Sequence, residues 1–129
     1  MLRLATALNR YLERNPIGEV FTSVLVQPDL FVAPFVETRT NEWARIQTLL
    51  LAVEVLSPSS IRADRDLKRK LYQRFGVKVY WVIDPEHGQV EVWTPGVHFP
   101  ATEHSRLVWH PEGAVEPFTI GVEDLLATP

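Results

Sequence analysis

A nearly continuous apolar run at residues 48–56, TLLLAVEVL, restricts the fold more than any other stretch of the sequence. Because both faces of such a segment are apolar, it predicts a central strand that is covered on both sides of a sheet. The segment SPSS follows at residues 57–60 and ends the strand. Ser59 or Ser60 can cap a helix that runs to about residue 75 and stops at Gly76.

The remaining periodicities complete a single domain over residues 1–129. Leucines at positions 4, 8 and 12 recur at helical spacing, which predicts a helix over residues 2–14. Apolar and alternating runs predict further strands at residues 30–33, 78–83, 89–93 and 106–109, and residues 20–26 are a candidate for another. A hairpin links the strands at residues 78–83 and 89–93. A short helix closes the chain at residues 121–127. The predicted fold class is α/β bordering on α+β, with a mixed central sheet of about five strands flanked by helices.

Composition excludes several classes of protein. The chain is 46% hydrophobic and 22% charged, and no apolar run reaches the roughly 18 residues of a membrane helix. Its N-terminus lacks the long apolar core of a signal peptide. With no cysteine, disulfides and thiolate chemistry are excluded, and we predict a cytoplasmic protein without a membrane partner.

Two carboxylates stand alone in uncharged stretches. Asp29 is the only charged residue between Val20 and Val36, and Glu54 is the only one between residues 48 and 61. A buried carboxylate without a partner costs several kcal/mol or takes up a proton. A shared hard cation such as Mg²⁺ would compensate both charges. For Asp29 the alternative is a turn in which the carboxylate caps backbone donors.

Basic residues are concentrated in one segment. The net charge is −3, yet residues 62–78 hold seven basic residues against two acidic ones, a local charge of +5 that leaves −8 elsewhere. The segment can hold a phosphate backbone, or it is the solvated face of a helix. We predict that four of its cations bind nucleic acid: Arg62, Arg65, Arg69 and Lys70.

A lysine that acts on the same phosphate as Glu54 would have to come from elsewhere in the chain. Side chains two apart on a strand share a face, but the position two beyond Glu54 is Leu56 and not lysine. Asp64, Lys68 and Tyr72 are spaced by four on the predicted helix and form one stripe. Lys68 can therefore border the carboxylates.

The supporting roles that we predict near the carboxylates are less specific. Ser57 either hydrogen bonds Glu54 or ends the strand. Tyr72 supports the site or belongs to the core, and Asp64 shares its stripe.

Four segments together resemble a known family: QPDL at 27–30, VEVLSPS at 53–59, the Asp64 to Tyr72 stripe, and GV at 76–77 leading into YWVIDP at 80–85. The chain is similar to the restriction endonucleases of the Uma-two type, within the PD-(D/E)xK nuclease superfamily. The resemblance implies a restriction-endonuclease-like fold and a metal-dependent endonuclease that acts on DNA.

The resemblance also implies roles for individual residues. Asp29, Glu54 and Lys68 match the catalytic positions, with Asp29, Glu54 and the backbone carbonyl of Val55 as ligands of Mg²⁺ or Mn²⁺. Lys68 would orient the nucleophile or stabilise the transition state. The products would carry 5′-phosphate and 3′-hydroxyl ends. A homodimer is left open.

Two departures from the family pattern leave a second reading open. Relatives begin with an additional N-terminal element and carry a longer hairpin before the Pro-Asp, so we expect this chain to be truncated at its N-terminus. The alternative function is a weakened or inactive nuclease-fold module that binds DNA or a protein partner. Stabilisation by Mg²⁺ would distinguish the two, since only a competent site binds the cation.

Overall fold

The structure, a computed structural model, describes residues 2–22, 29–35, 49–57, 72 and 76–126. No helix in these ranges is long and apolar enough to cross a membrane. The elements follow one another as α1 (Leu2–Arg14), β1 (Gly18–Thr22), β2 (Leu30–Pro34), β3 (Leu51–Val55), β4 (Tyr80–Asp84), β5 (Gln89–Trp93), β6 (Ala101–Glu103), β7 (Arg106–Trp109), β8 (Phe118–Gly121) and α2 (Val122–Leu126).

A mixed sheet forms the centre of the described part of the chain. Six strands pair in the order β1-β2-β3-β4-β5-β6, and β7 and β8 form a separate antiparallel pair. Within the six-stranded sheet, β3 and β4 run parallel and the other neighbours run antiparallel. A parallel pair needs a long crossover connection, and residues 56–79 provide one. The fold is α+β, a mixed sheet with flanking helices, as the sequence predicted.

The sheet buries side chains on both faces. On one face, which we call the α1 face, the apolar side of α1 packs against strand residues that include Val53 and Trp81. The opposite face, which we call the Tyr72 face, carries a smaller cluster of Ala52, Tyr80 and Val82 with Tyr72 packed on it. Central strands that are buried on both faces have the continuous apolar pattern seen in β3.

Individual elements agree with the predictions to different degrees. Helix α1 and strands β5 and β7 have the predicted bounds, β3 is shorter than predicted, and the β4–β5 hairpin forms with Gly88 at positive φ. The central sheet has six described strands where about five were predicted. Strands β6 and β8 were not predicted. The predicted helix over residues 60–75 and the predicted strand residues 23–26 lie outside the described residues, apart from Tyr72, which is helical.

Asn15 joins the end of α1 to a distant loop. Its side chain is only 2% exposed, and Nδ2 donates to the Tyr11 carbonyl oxygen at 3.2 Å. Oδ1 accepts from the main-chain amides of Val115 (2.9 Å) and Glu116 (3.3 Å). The Tyr11 hydroxyl donates to the Glu116 carbonyl beside them. The asparagine therefore fixes the loop before β8 against the helix.

Replacing Asn15 by alanine should lower the free energy of unfolding by about 2 kcal/mol, because two main-chain amides lose their acceptor. Urea unfolding at neutral pH measures the difference. Asn9→Ala, at an exposed position of α1, is the matched control and should change stability by less than about 0.5 kcal/mol. Equal losses in the two variants would mean that the loop does not depend on Asn15.

Candidate active site

The register of β2 and β3 brings the two isolated carboxylates together. Leu30 pairs with Val53 and Phe31 pairs with Ala52 in an antiparallel ladder. One further step of this register sets Asp29, immediately before β2, opposite Glu54. Directly opposite residues share a face, with Cβ atoms about 4.5–5.5 Å apart. Because Ala52 belongs to the Tyr72 face, Glu54 and Asp29 belong to it too.

Asp29 is tied to the strand that carries Glu54. Its Oδ2 atom accepts a hydrogen bond of 2.9 Å from the main-chain amide of Val55. Val55 lies two residues beyond Val53, which pairs with the first residue of β2, and the Asp29 carboxylate supplies the acceptor for its amide. The bond also holds the half-buried Asp29 side chain beside Glu54. The carboxylate thus accepts from a backbone donor on the neighbouring strand, whereas the local turn that the sequence left open for Asp29 involves residues 27 and 28, which lie outside the described residues.

Glu54 is a buried carboxylate in the middle of the sheet. It is 6% exposed, and its Oε1 atom accepts a hydrogen bond of 3.0 Å from the Tyr72 hydroxyl. Buried glutamates are rare unless they are paired or hydrogen bonded. The structure therefore brings together three of the residues that the sequence singled out, namely Asp29, Glu54 and Tyr72.

The pKa of Tyr72 is raised by burial and by both carboxylates. Burial raises the pKa of Tyr72 above its ordinary value of 10.0, and the negative charge of Glu54 and the hydrogen bond to it raise the pKa further. Tyr80 and Asp29 add smaller contributions in the same direction. The phenol is therefore a neutral hydrogen-bond donor at physiological pH.

This raised pKa predicts that stability declines above pH 10. In the unfolded chain Tyr72 loses its proton near pH 10, whereas in the folded chain it keeps the proton to higher pH. The contribution of Tyr72 to the free energy of unfolding is fully present below pH 10. Above it the unfolded state binds fewer protons, so the free energy of unfolding falls as pH rises. Urea unfolding between about pH 9 and pH 11 should show a shallower fall in Tyr72→Phe than in the wild type. Parallel curves would contradict the shift.

The donor atoms fit a hard cation. Within the described ranges no group of three or more His, Asp or Glu side chains is arranged to hold a metal ion. Mg²⁺, however, is commonly bound through one or two carboxylates and completes its shell with water or substrate oxygens. A strand residue directs its N–H and its C=O toward the same neighbouring strand, so the Val55 carbonyl lies on the Asp29 side of β3. Asp29, Glu54 and this carbonyl all offer oxygen atoms, the donor type that Mg²⁺ prefers.

The remaining predicted site residues have different outcomes. Ser57 is exposed, two residues beyond the end of β3. The predicted catalytic lysine, its stripe neighbour and the nucleic-acid-binding cations lie outside the described residues: Lys68, Asp64, Arg62, Arg65, Arg69 and Lys70.

Asp84 is a second buried carboxylate on the Tyr72 face. It lies two residues beyond Val82, the partner of Glu54 in β4, and is 7% exposed. Its oxygens accept from the His87 amide at 3.2 Å and contact His87 Nδ1 at 2.8 Å. These bonds close the β4–β5 turn. The sequence indicated the turn but not the burial of Asp84, which it shares with every other residue of β4.

Comparison with known proteins identifies the family. Residues 1–113 match the model of Uma2, which is described as "Putative restriction endonuclease". The chain belongs to the Uma2 family. This match confirms the resemblance seen in the sequence. No curated protein matches the chain.

A solved structure has the same fold as this Uma2 chain. It is the crystal structure of "a putative nuclease belonging to DUF820" from Anabaena variabilis ATCC 29413. The superposition gives a TM-score of 0.76 at 20% sequence identity and covers 97% of the present chain and 76% of that chain. The shared fold confirms the nuclease-like architecture that the sequence predicted.

Proposed function

We propose that this Uma2 chain is a metal-dependent endonuclease that hydrolyses phosphodiester bonds in DNA. The observation that carries the proposal is the pairing of Asp29 and Glu54 on one face of the sheet, with Glu54 buried. Like charges directly opposite each other in a sheet are destabilising. A divalent cation between them removes the repulsion, and family membership supports a nuclease as the kind of enzyme.

Asp29, Glu54 and the Val55 carbonyl would hold Mg²⁺, or Mn²⁺ in its place. When bound, the cation supplies charge neutralisation at the scissile phosphate and lowers the pKa of a water molecule. The hydrogen bond from the Val55 amide keeps Asp29 in place, and the bond from Tyr72 keeps Glu54 in place. Both ligands are thus fixed before the substrate arrives, which is the condition for electrostatic catalysis.

The basic segment supplies the remaining roles in this proposal. Lys68 would donate to the attacked phosphate or orient the nucleophile, and four further cations would hold the DNA backbone: Arg62, Arg65, Arg69 and Lys70. A local charge of +5 on an otherwise acidic chain supports a phosphate-binding role for this segment. Attack opposite the 3′-oxygen leaves a 5′-phosphate and a 3′-hydroxyl.

The test combines plasmid cleavage with thermal unfolding of the same preparation. We expect nicking or linearisation of supercoiled plasmid with Mg²⁺ or Mn²⁺ and none with EDTA. The same ions should raise the melting temperature, because a ligand that binds only the folded state stabilises it. DNA binding without cleavage and without a metal-induced shift would instead establish the inactive binding module. NaCl at matched ionic strength serves as the control for general ionic effects.

A further inference from the structure

We propose that Tyr72 is a positioning residue of this site, whose hydroxyl holds one oxygen of Glu54 so that the carboxylate and Asp29 face the same cation. This inference rests on the proposed metal-dependent nuclease. It adds a residue that does not touch metal or substrate but acts through a ligand.

The geometry fixes the donor. The hydroxyl of Tyr72 lies 3.0 Å from Glu54 Oε1. Its ring packs on Tyr80 with centroids 4.9 Å apart and planes tilted by 55°. Its main-chain carbonyl oxygen accepts from the Val77 amide at 3.1 Å. Both the ring and the backbone of Tyr72 are therefore anchored, and the hydroxyl has little freedom to leave Glu54.

The anchors belong to the same small core as the strand that carries Glu54. Ala52, two residues before Glu54 on the same face, is in the cluster against which Tyr72 packs, together with Val77 and Tyr80. Tyr72 packs on this cluster, and its hydroxyl reaches Glu54 over the same face of the sheet. The ligand carboxylate is thus held at one oxygen by a side chain that is itself packed on the core.

The chemistry explains why a phenol suits this position. A glutamate side chain has three rotatable bonds, and a bonded oxygen restricts all three. A lysine or arginine would also hold the carboxylate but would cancel the charge that the cation needs. A tyrosine hydroxyl donates one hydrogen bond and leaves the charge of Glu54 in place. Partners of this kind, behind metal ligands, commonly change metal affinity or activity by about 10–100-fold when they are removed.

The matched pair of variants is Tyr72→Phe and Tyr11→Phe. Each removes one phenol hydroxyl and keeps the ring. Tyr11 lies on the α1 face, where its hydroxyl donates to the Glu116 carbonyl, away from the carboxylates. Loss of a buried hydrogen bond alone is therefore common to both variants, and loss of a hydrogen bond to Glu54 is specific to Tyr72→Phe.

The protein is titrated with Mn²⁺ and with Mg²⁺, and the melting temperature is the readout of metal binding. The kcat and KM for plasmid cleavage are determined at each metal concentration. Tyr72→Phe should need about 10–100-fold more metal for half of the maximal melting shift. Its KM for DNA should stay unchanged, and high metal should restore most of kcat. Tyr11→Phe should lower the metal-free melting temperature without moving the metal titration.

The outcomes separate this inference from the proposed function. If the wild type responds to metal and Tyr72→Phe gives a superimposable titration, or one shifted no more than that of Tyr11→Phe, the positioning role is wrong and the nuclease proposal stands. If the wild type neither binds metal nor cleaves DNA, the proposed function fails and the positioning role fails with it.

Discussion

Glutamine in place of Glu54 is expected to abolish metal-dependent cleavage and, at the same time, to make the metal-free protein more stable. Glutamine keeps the carbonyl oxygen that accepts from Tyr72, so the local packing is retained. It removes a buried negative charge that lies opposite Asp29. Removal of the repulsion should raise the free energy of unfolding by up to about 1 kcal/mol. Cleavage should fall by about three orders of magnitude, because a direct ligand is lost.

The control for this variant is Glu103→Gln. Glu103 is a half-buried glutamate of the same sheet, and it pairs with Val90, a residue of the α1 face. The same substitution there should leave the cleavage rate and the metal-induced melting shift unchanged. Plasmid cleavage and urea unfolding in EDTA test both halves of the prediction. A Glu54→Gln protein that is less stable and still cleaves DNA would assign Glu54 a purely structural role.

Opposite signs for stability and activity are informative in themselves. A residue that serves the fold should lower both when it is replaced, whereas a residue that serves a function is retained although it costs stability. Glu54 interrupts an otherwise apolar strand that is buried on both faces, which makes it a site where local packing rules are broken. Such positions are where functional residues are expected.

A helix or strand could be predicted from the sequence where its own residues show a helical spacing or a strand alternation. The leucine spacing of α1 and the alternation of β5 are local signals, and both elements have the predicted bounds. Strand β6 has no such signal, because Ala101 and Thr102 are exposed and the strand is defined by its pairing with β5. Strand β8 is four residues long and forms by pairing with β7. Each of these short strands is defined by its pairing with the preceding strand and not by an apolar pattern of its own, so neither was predicted from the local sequence.

The candidate site was likewise predictable in part, where the sequence alone shows the relevant residues. The isolation of Asp29 and Glu54 is visible in the sequence, and so is the absence of a lysine at Leu56. That the two carboxylates lie directly opposite each other depends on the register of β2 and β3, which a shift of one residue would change. Helical spacing placed Tyr72 in a stripe but could not indicate which strand residue its hydroxyl contacts. Packing between elements decides that contact.

Asparagine and alanine at position 29 should separate the two roles of Asp29. Asparagine keeps an oxygen that can accept from the Val55 amide, so Asp29→Asn should unfold at the same urea concentration as the wild type or a higher one. It removes the charge, so cleavage and the metal-induced melting shift should be lost. Asp29→Ala should lose cleavage as well and also about 1–2 kcal/mol of unfolding free energy, because the Val55 amide then has no acceptor.

The comparison of these two variants separates the acceptor from the charge, because Asp29→Ala lacks the side-chain oxygen that Asp29→Asn keeps, and Asp29→Asn differs from the wild type mainly in charge. Asp124→Asn, at an exposed position in the first turn of α2, controls for a change of one unit of charge elsewhere on the chain. Full cleavage by Asp29→Asn would show that Asp29 is a cap for β3 and nothing more. In that case Glu54 would stand alone as a carboxylate ligand, and one carboxylate with a single carbonyl would be a poor Mg²⁺ site, so the shared-cation model would have to be abandoned.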